Sequence, residues 1–486
     1  MVRIYMLNPP FVLNFNRELR GEGMSTRAGT LYYPIWLSYA AGVLSQHHEV
    51  KLVDAVAKGW SLNDVCLDVS NFHPDIIVID TNFASLNNDL KVAEVLKNET
   101  NAIIILVGPP ASQFTEKILR CGHVDIVARY EYDYTLLEIA DMLEGGELVL
   151  DRVKGVSYVK DGQIKYNPNR EFLSSEDLDK IPFVSKVYKK YLNIRDYFLS
   201  SSLYPVVQIF TGRGCPFQCA FCSWPQTLMG HKYRVRSVSN VLDEMEWISE
   251  NLREVKEVFF EDDTFTVSKK RVLEFCEEYR ERGLDIAWAC NARADLDYET
   301  MKAMKKAGCR LVIVGYESGS DEILRNIKKG ITTQQIREFA KNARKAGLLV
   351  HGDFIVGLPG ETKETIEMTK KLIKEVKPDI LQVQVATPIP GTGFYHWCKE
   401  NGYLVTDDPD EYLDRDGHQK SVVSYPWLSA EEIVKAVDDI LKEYYLSIGY
   451  IPVAFKQVFR RRGLDEARRL WRSTRTFLGY VRERLV

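Results

Sequence analysis

The sequence predicts an α/β chain. A doubly wound parallel sheet comes first, six βα units suited to a partial parallel barrel follow, and a helical segment ends the chain. Three observations predict this. Residues 1–145 alternate short apolar runs with helix-period stretches. The alternation resumes between Pro205 and Cys398. After Cys398 only helix patterns remain, over 429–446 and from 452 onward. The chain thus divides into 1–145, a connecting segment 146–200, a core at 201–400 and a helical region at 401–486.

At 486 residues there is room for two or three domains, and 45% apolar content is ample for large cores. A net charge of -4 gives no general attraction to nucleic acid. Met1 leads straight into the strand-like run 2–7, so no signal peptide is expected. The longest uncharged run, 28–46, contains Gly29, Pro34 and Gly42 and reads as a buried helix, not a membrane span.

In the first domain the apolar strands are 4–7, 50–53, 76–79 and 103–107, with helix patterns such as 87–96 between them. Ligands in such sheets sit at the carboxyl ends of strands. Those ends carry Asn8-Pro9-Pro10, Asp54-Ala55, Asp80-Thr81-Asn82 and Gly108-Pro109-Pro110. This Rossmann-like stretch resembles a cobalamin-binding domain. Members that ligate cobalt from below use D-x-H-x-x-G, whereas the run from Asp54 to Gly59 has no histidine. Either cobalamin binds without a protein histidine or the domain has lost the cofactor. Gly108-Pro109 stands where Gly-Gly is usual, and proline removes an amide donor. A Rossmann-like domain without cofactor is the alternative.

The core opens on Cys215, Cys219 and Cys222, a C-x3-C-x2-C run. Three close thiolates suit an iron–sulfur cluster, since soft sulfur holds iron. A cubane needs four ligands, so one iron stays open to a substrate or cofactor. Zinc fits less well, because the nearest histidine, His231, has no partner at ligand spacing. Disulfides are disfavoured by nine cysteines, mostly scattered singly through apolar runs. An oxygen-labile cluster and free thiols point to a reducing cytoplasm.

This segment resembles the radical S-adenosylmethionine (SAM) superfamily. The resemblance implies a [4Fe-4S] cluster on the three cysteines. It also implies SAM chelated at the open iron, with Phe221 against adenine, and a 5′-deoxyadenosyl radical after one-electron cleavage. A small reductant such as ferredoxin or flavodoxin would deliver the electron.

Six strands are expected at 206–210, 257–260, 285–289, 311–314, 351–356 and 380–385. Function collects at their carboxyl ends. The second end carries Glu261, Asp262 and Asp263, costly to bury without cations or donors. They bind the SAM amino group or substrate hydroxyls, or they form a solvated turn. By resemblance Arg293 pairs with the SAM carboxylate. Cys290 is either a core residue or a donor of hydrogen or an electron to a substrate radical. Glu317 and Ser318 stand at the height of the SAM ribose in this fold, and Gly357 permits close approach, here to adenine.

Trp224-Pro225-Gln226-Thr227, the run from Gly230 to Arg234, 315–330, Phe183-Val184-Ser185 and Val187-Tyr188 resemble one subgroup. It comprises the hopanoid cyclitol-ether synthases and their archaeal relatives, the calditol synthases of tetraether lipids. The resemblance implies rearrangement of a lipid-linked hexose into a cyclopentane polyol head group. The substrate is then a glycosylated membrane lipid, served by 224–236 and the tail, with Asp262, Asp263, His231 and Gln384 reading hydroxyls. Helices rich in Lys and Glu, such as 363–377, favour a thermophile and hence the archaeal lipid.

From Phe455 to Val486 ten Lys and Arg face three Asp and Glu, a local charge of +7. Trp471, Phe477, Leu478 and Tyr480 are interleaved with them. The segment either docks peripherally on anionic lipid at the inner membrane face or packs on the acidic remainder of the chain. No recognition motif supports nucleic-acid binding. Two other functions stand beside the lead: a cobalamin-dependent radical SAM C-methyltransferase acting on a lipid or other unactivated carbon, and an iron–sulfur electron carrier.

Overall fold

The computed structural model of the chain describes residues 1–20, 23–458 and 463–484. Its first sheet has strands β1 (Arg3–Asn8), β2 (Glu49–Asp54), β3 (Ile76–Asp80), β4 (Ile103–Val107), β5 (Ile126–Ala128), β6 (Val156–Lys160) and β7 (Gln163–Tyr166). The order is β2-β1-β3-β4-β5-β6-β7, parallel as far as β5 and antiparallel in the closing hairpin. The first five strands follow the flavodoxin-like order, whose ligand crevice opens between β1 and β3.

Alternation decides which helix covers which face. Ile4, Met6, Ile76 and Val78 pack toward helix α1 (Ile35–Leu44). Tyr5, Leu7, Ile77 and Ile79 pack toward α2 (Leu62–Phe72) and α3 (Leu86–Glu99). All ten residues of α1 are buried, as the uncharged run predicts. Among the described residues no helix is long and apolar enough to cross a membrane.

The second sheet has β8 (Val206–Ile209), β9 (Glu257–Phe260), β10 (Ala287–Ala292), β11 (Cys309–Glu317), β12 (Leu349–Val356) and β13 (Ile380–Val385). They are parallel and paired in chain order. Val206, Phe259, Ala289, Leu311, Leu349 and Ile380 meet inside as an apolar floor. The neighbours Val258, Phe260, Trp288, Val312 and Val350 face the surrounding helices, among them α4 (Lys269–Glu281) and α5 (Lys363–Val376).

Strands β8 and β13 do not pair, so the barrel has an open side. The first domain fills part of it. Tyr33 N donates to Gln208 Oε1 at 3.0 Å, Tyr33 Oη donates to Val206 O at 2.8 Å, and Leu31 forms a β-bridge with Phe198. Tyr32 packs against the apolar floor. The β13 edge is met by α6 (Ala430–Tyr445), where Leu381 N donates to Tyr445 Oη at 2.8 Å. Arg27 bridges the two fillers, 3.2 Å from Asp438.

Helices α7 (Ile451–Val458) and α8 (Gly463–Arg484) end the described chain. Glu466 lies 2.8 Å from Arg310, which is itself 3.0 Å from Glu257, and Arg469 lies 2.9 Å from Glu466. All four side chains are buried at the amino end of the barrel. The tail is therefore anchored through its own acid, Glu466, on the core cation Arg310, while Arg469 pairs within the tail. Phe477 and Tyr480, named with that tail, have side chains outside the described residues.

Candidate active site

The cysteine loop is clipped by a short antiparallel ladder between Gly212–Arg213 and Arg234–Val235. Gly214 has φ +85°, and a Cβ there would fall 2.2 Å from Lys232 O, so only glycine fits. Gln226 Nε2 donates to Cys222 O at 2.6 Å. His231 Nδ1 lies 3.1 Å from the carbonyls of both Cys215 and Phe217. With carbonyl partners Nδ1 acts as a donor, so His231 ties the cysteine loop together.

Cys215, Cys219 and Cys222 are free thiols, the first two buried. Burial pushes Cys215 up to about 11, with Asp263 adding, and also raises Cys222 well above the ordinary thiol value. The three thiols feel one another's charge, so they gather at one place. Three neighbouring soft ligands on one loop suit a cluster that keeps one iron free of protein. The donor set therefore fits a [4Fe-4S] group.

The three acids after β9 part company. Asp262 accepts from Thr211 N and Thr211 Oγ1, each at 2.6 Å, with Arg271 of α4 nearby. It ties the strand end to the start of the cysteine loop, and its expected catalytic role is corrected to a structural one. Asp263 differs: Oδ1 accepts from Arg20 Nε at 2.9 Å, while buried Oδ2 has no partner. Its charge is felt at Cys215 and Cys222, so a free acceptor faces the cluster position. Glu261 lies 3.1 Å from Arg20 Nη1 and accepts from Gln208 Nε2 at 2.7 Å. Burial raises its carboxyl to about 7. No turn here is solvated, since all three acids are within the core.

Arg293 lies across the cysteine loop, its guanidinium 3.6 Å from the Phe217 ring centroid. Its Nη2 donates to Lys329 O at 2.8 Å. Glu317 holds φ +64°, a strained value for a non-glycine residue, and its carboxylate is 2.5 Å from Lys329 Nζ. Lys329 also lies 5.8 Å from the Phe221 ring centroid. Arg293, Glu317, Lys329 and Phe221 thus gather beside the triad. Ser318 does not join them. Its hydroxyl lies 3.4 Å from Thr369 Oγ1 on α5 and accepts from Ser320 N, which turns it outward, so the ribose role is corrected. Gly357 does need its conformation, φ +100°, but the close approach seen is to Ile433 of α6.

Cys290 is also corrected. It sits one residue beyond inward Ala289 and in register with Phe260 and Val312, on the helix-facing side with Trp288. Burial and Cys309 raise its thiol well above the ordinary value. It is core packing and cannot reach a substrate radical inside the barrel.

The lumen itself opens along strands β11 to β13. Ile313, Gly315, Asp353, Ile355, Gln382 and Gln384 are half-buried, whereas inward Gln208, Phe259, Glu261 and Ala289 are buried. Register sets Gly315, Asp353 and Gln382 in one layer and Ile355 with Gln384 above it. Asp353 keeps 27% of its side chain open to water, and Oδ1 has no hydrogen bond. Its pKa is raised well above the ordinary value, first by burial and then by Glu317.

A second gap lies between the sheets. Asp80, Thr81, Gly108 and Pro109 at the ends of β3 and β4 face Trp224 and Leu228, with Arg17, Glu18, Trp36 and Tyr132 around them. Buried Glu18 Oε1 and Tyr132 Oη have no hydrogen-bond partner. A Cβ on Gly108 would fall 2.2 Å from Thr81 O, so the backbone runs close there. Orphaned polar atoms around a bare backbone offer partners to the amide-rich rim of a corrinoid, but the gap, about 260 Å³, is smaller than that group, so the loops around it would have to part to admit it. Among the described residues no histidine lines the gap. Trp224, expected to serve the substrate, is buried beside Trp36, under the Arg20 guanidinium at 4.5 Å. The run from Asp54 to Gly59 is not at the crevice. Asp54 ends the edge strand β2 and caps Ala57 N at 3.1 Å.

Arg20, Lys329 and Asp353 escaped sequence reading. Arg20 comes from a loop without a motif, Lys329 has no spacing of its own within the run 315–330, and Asp353 lies inside a strand, where only the register shows which way it faces.

The model of the B12 binding domain matches residues 21–140, and that of the radical SAM superfamily matches 209–373. The chain is 33% identical to an uncharacterized methyltransferase of Pyrococcus horikoshii over 90% of this chain and 92% of that one. It is 27% identical to the cytidylyl-2-hydroxyethylphosphonate methyltransferase of Streptomyces wedmorensis, over 83% and 84% of the two chains. It is similar in fold to the radical SAM methyltransferase TsrM of Kitasatospora setae, solved with cobalamin and a [4Fe-4S] cluster. The TM-score is 0.71 over 99% of this chain and all of that one, at 15% identity. Relatives named for methyl transfer along most of the chain overturn the expected rearrangement of a lipid-linked hexose to a calditol-type head group. The likeness to the cyclitol-ether and calditol synthases does not stand as the subgroup. Residues 21–140 and 209–373 place the chain in the radical SAM superfamily, among the enzymes that carry an amino-terminal B12-binding domain and use a [4Fe-4S] cluster with SAM.

Proposed function

We propose that the chain is a cobalamin-dependent radical SAM methyltransferase that places a methyl group on an unactivated carbon. One observation carries the reading. The ligand-binding ends of the first sheet, at Asp80 and Gly108, face the Trp224–Leu228 stretch that directly follows the cysteine triad. When bound, SAM split at the cluster supplies a 5′-deoxyadenosyl radical, and the corrinoid supplies the methyl group.

The residues of the chain have separate tasks. Cys215, Cys219 and Cys222 hold the cluster. Asp263 Oδ2 accepts from the amino group of SAM, and Arg293 pairs with its carboxylate. Glu317, ion-paired with Lys329, takes the ribose hydroxyls. Glu18 and Tyr132 face the corrin rim. Asp353, Gln382 and Gln384 fit a substrate whose polar part enters the lumen. The apolar floor and Tyr32 exclude water from below and from the side.

The test is anaerobic reconstitution with iron, sulfide and cobalamin, followed by SAM and a reductant. Release of both S-adenosylhomocysteine and 5′-deoxyadenosine is expected. Release of 5′-deoxyadenosine alone, or failure to retain cobalamin through gel filtration, would overturn the reading.

A further inference from the structure

Helix α8 has two unlike faces. Glu466 and Arg469 are buried against the barrel. On another face Leu464, Arg468, Trp471, Arg475, Leu478 and Arg482 follow one another at steps of four and three residues. That spacing sets them in one stripe along the helix. All six are exposed. Leu464 is 79% and Trp471 66% exposed, and the Arg468 side chain is 82% exposed. The Arg475 guanidinium lies 5.6 Å from the Trp471 ring centroid, so cation and indole share the surface.

No acid belongs to the stripe. Asp465 beside it is only 20% exposed, and Glu466 is buried. Helix α7 packs against α8, and Ile448 just before α7 and Ile451 at its start are 85% and 52% exposed. A row of bare apolar side chains needs a cover. The alternating arginines say which kind. A second copy of the stripe would set guanidinium against guanidinium. A nucleic acid would meet the charge but leave leucine and tryptophan unmatched. An anionic bilayer surface satisfies both, because apolar groups enter the headgroup boundary while arginines reach the phosphates.

We infer that the stripe from Leu464 to Arg482 docks the protein on an anionic lipid surface. The inference does not rest on the methyl-transfer reading. The full chain, loaded with its cluster, is spun with vesicles of phosphatidylcholine alone or mixed with equal phosphatidylglycerol. Binding to the mixed vesicles only, weakening as salt rises, is expected. The triple variant R468A/R475A/R482A is expected to bind about a hundredfold more weakly, at about fivefold per arginine. The double variant W471A/L478A is expected to weaken binding as well. Both leave the buried Glu466–Arg469 pair alone, so unchanged urea denaturation verifies the fold. As a second readout, tryptophan emission should shift to the blue on mixed vesicles and lose that shift in W471F. Equal binding to neutral vesicles, no binding at low salt, undiminished binding by the triple variant, or a dimer that buries the stripe would each overturn the inference.

Discussion

Arg20 Nε donates to Asp263 Oδ1 at 2.9 Å, joining a loop of the B12-binding domain to the end of β9 in the radical SAM core. The same guanidinium bonds the carboxylate and carbonyl of Glu261 and covers the face of Trp224. Replacing it with methionine strands two buried acids. Arg20→Met is expected to cost about 3 kcal/mol, softened because the side chain is 26% exposed. Urea denaturation measures this, and an unchanged midpoint would show that the pair does not hold the domains.

The triad should separate cluster from fold. Cys219→Ala is expected to lose most iron and sulfide and all SAM cleavage, with little change in circular dichroism. Iron and sulfide analysis after anaerobic reconstitution decides it.

Two neighbouring aspartates should respond differently. Asp263→Asn removes the free acceptor facing the cluster, and SAM affinity is expected to fall roughly tenfold or more. Asp262→Asn breaks the tie to Thr211 and is expected to cost stability, about 1–3 kcal/mol, before it costs affinity. Equilibrium dialysis of SAM with cluster-loaded protein, alongside denaturation, separates the two.

Lys329 neutralises Glu317 in a strained backbone position. Lys329→Met is expected to cost about 3–5 kcal/mol by leaving a buried carboxylate alone. The double change K329M/E317Q should recover much of that loss. A double-mutant cycle in stability gives the coupling.

His351 is held neutral inside the barrel. Burial, with Arg469 assisting, lowers its pKa from 6.5 to about 3, and Asp353 is 3.3 Å away. The folded value lies below the unfolded one. Its contribution is therefore complete above pH 6.5 and drains away as pH falls toward 3. Stability should drop by up to about 1.4 kcal/mol per pH unit in that window, and His351→Gln should flatten the slope. Urea midpoints at several pH values check it.

Much of this was legible beforehand, for local reasons. Cys215, Cys219 and Cys222 declare themselves because ligand chemistry demands one residue type at close spacing. Strands such as β4 and β9 declare themselves because burial on both faces needs unbroken apolar runs. The hairpin from Val156 to Tyr166 is illegible because its strands are short and, beyond Tyr158, mostly exposed. Facing was illegible too. Only the register shows that Ala289 looks inward and Cys290 outward. Composition cannot tell Asp262 from Asp263, since one backbone step reverses the direction of the side chain. Arg20 and Lys329 act from loops, where no period marks them.

The missing wall of the barrel is supplied by Leu31, Tyr32 and Tyr33, residues encoded some 170 positions before the strand they guard. A catalytic half made alone would carry a slit along its length, through which solvent could quench any carbon-centred species. The two halves are consequently one heritable unit: neither can be swapped, shuffled or expressed apart without rebuilding that seam.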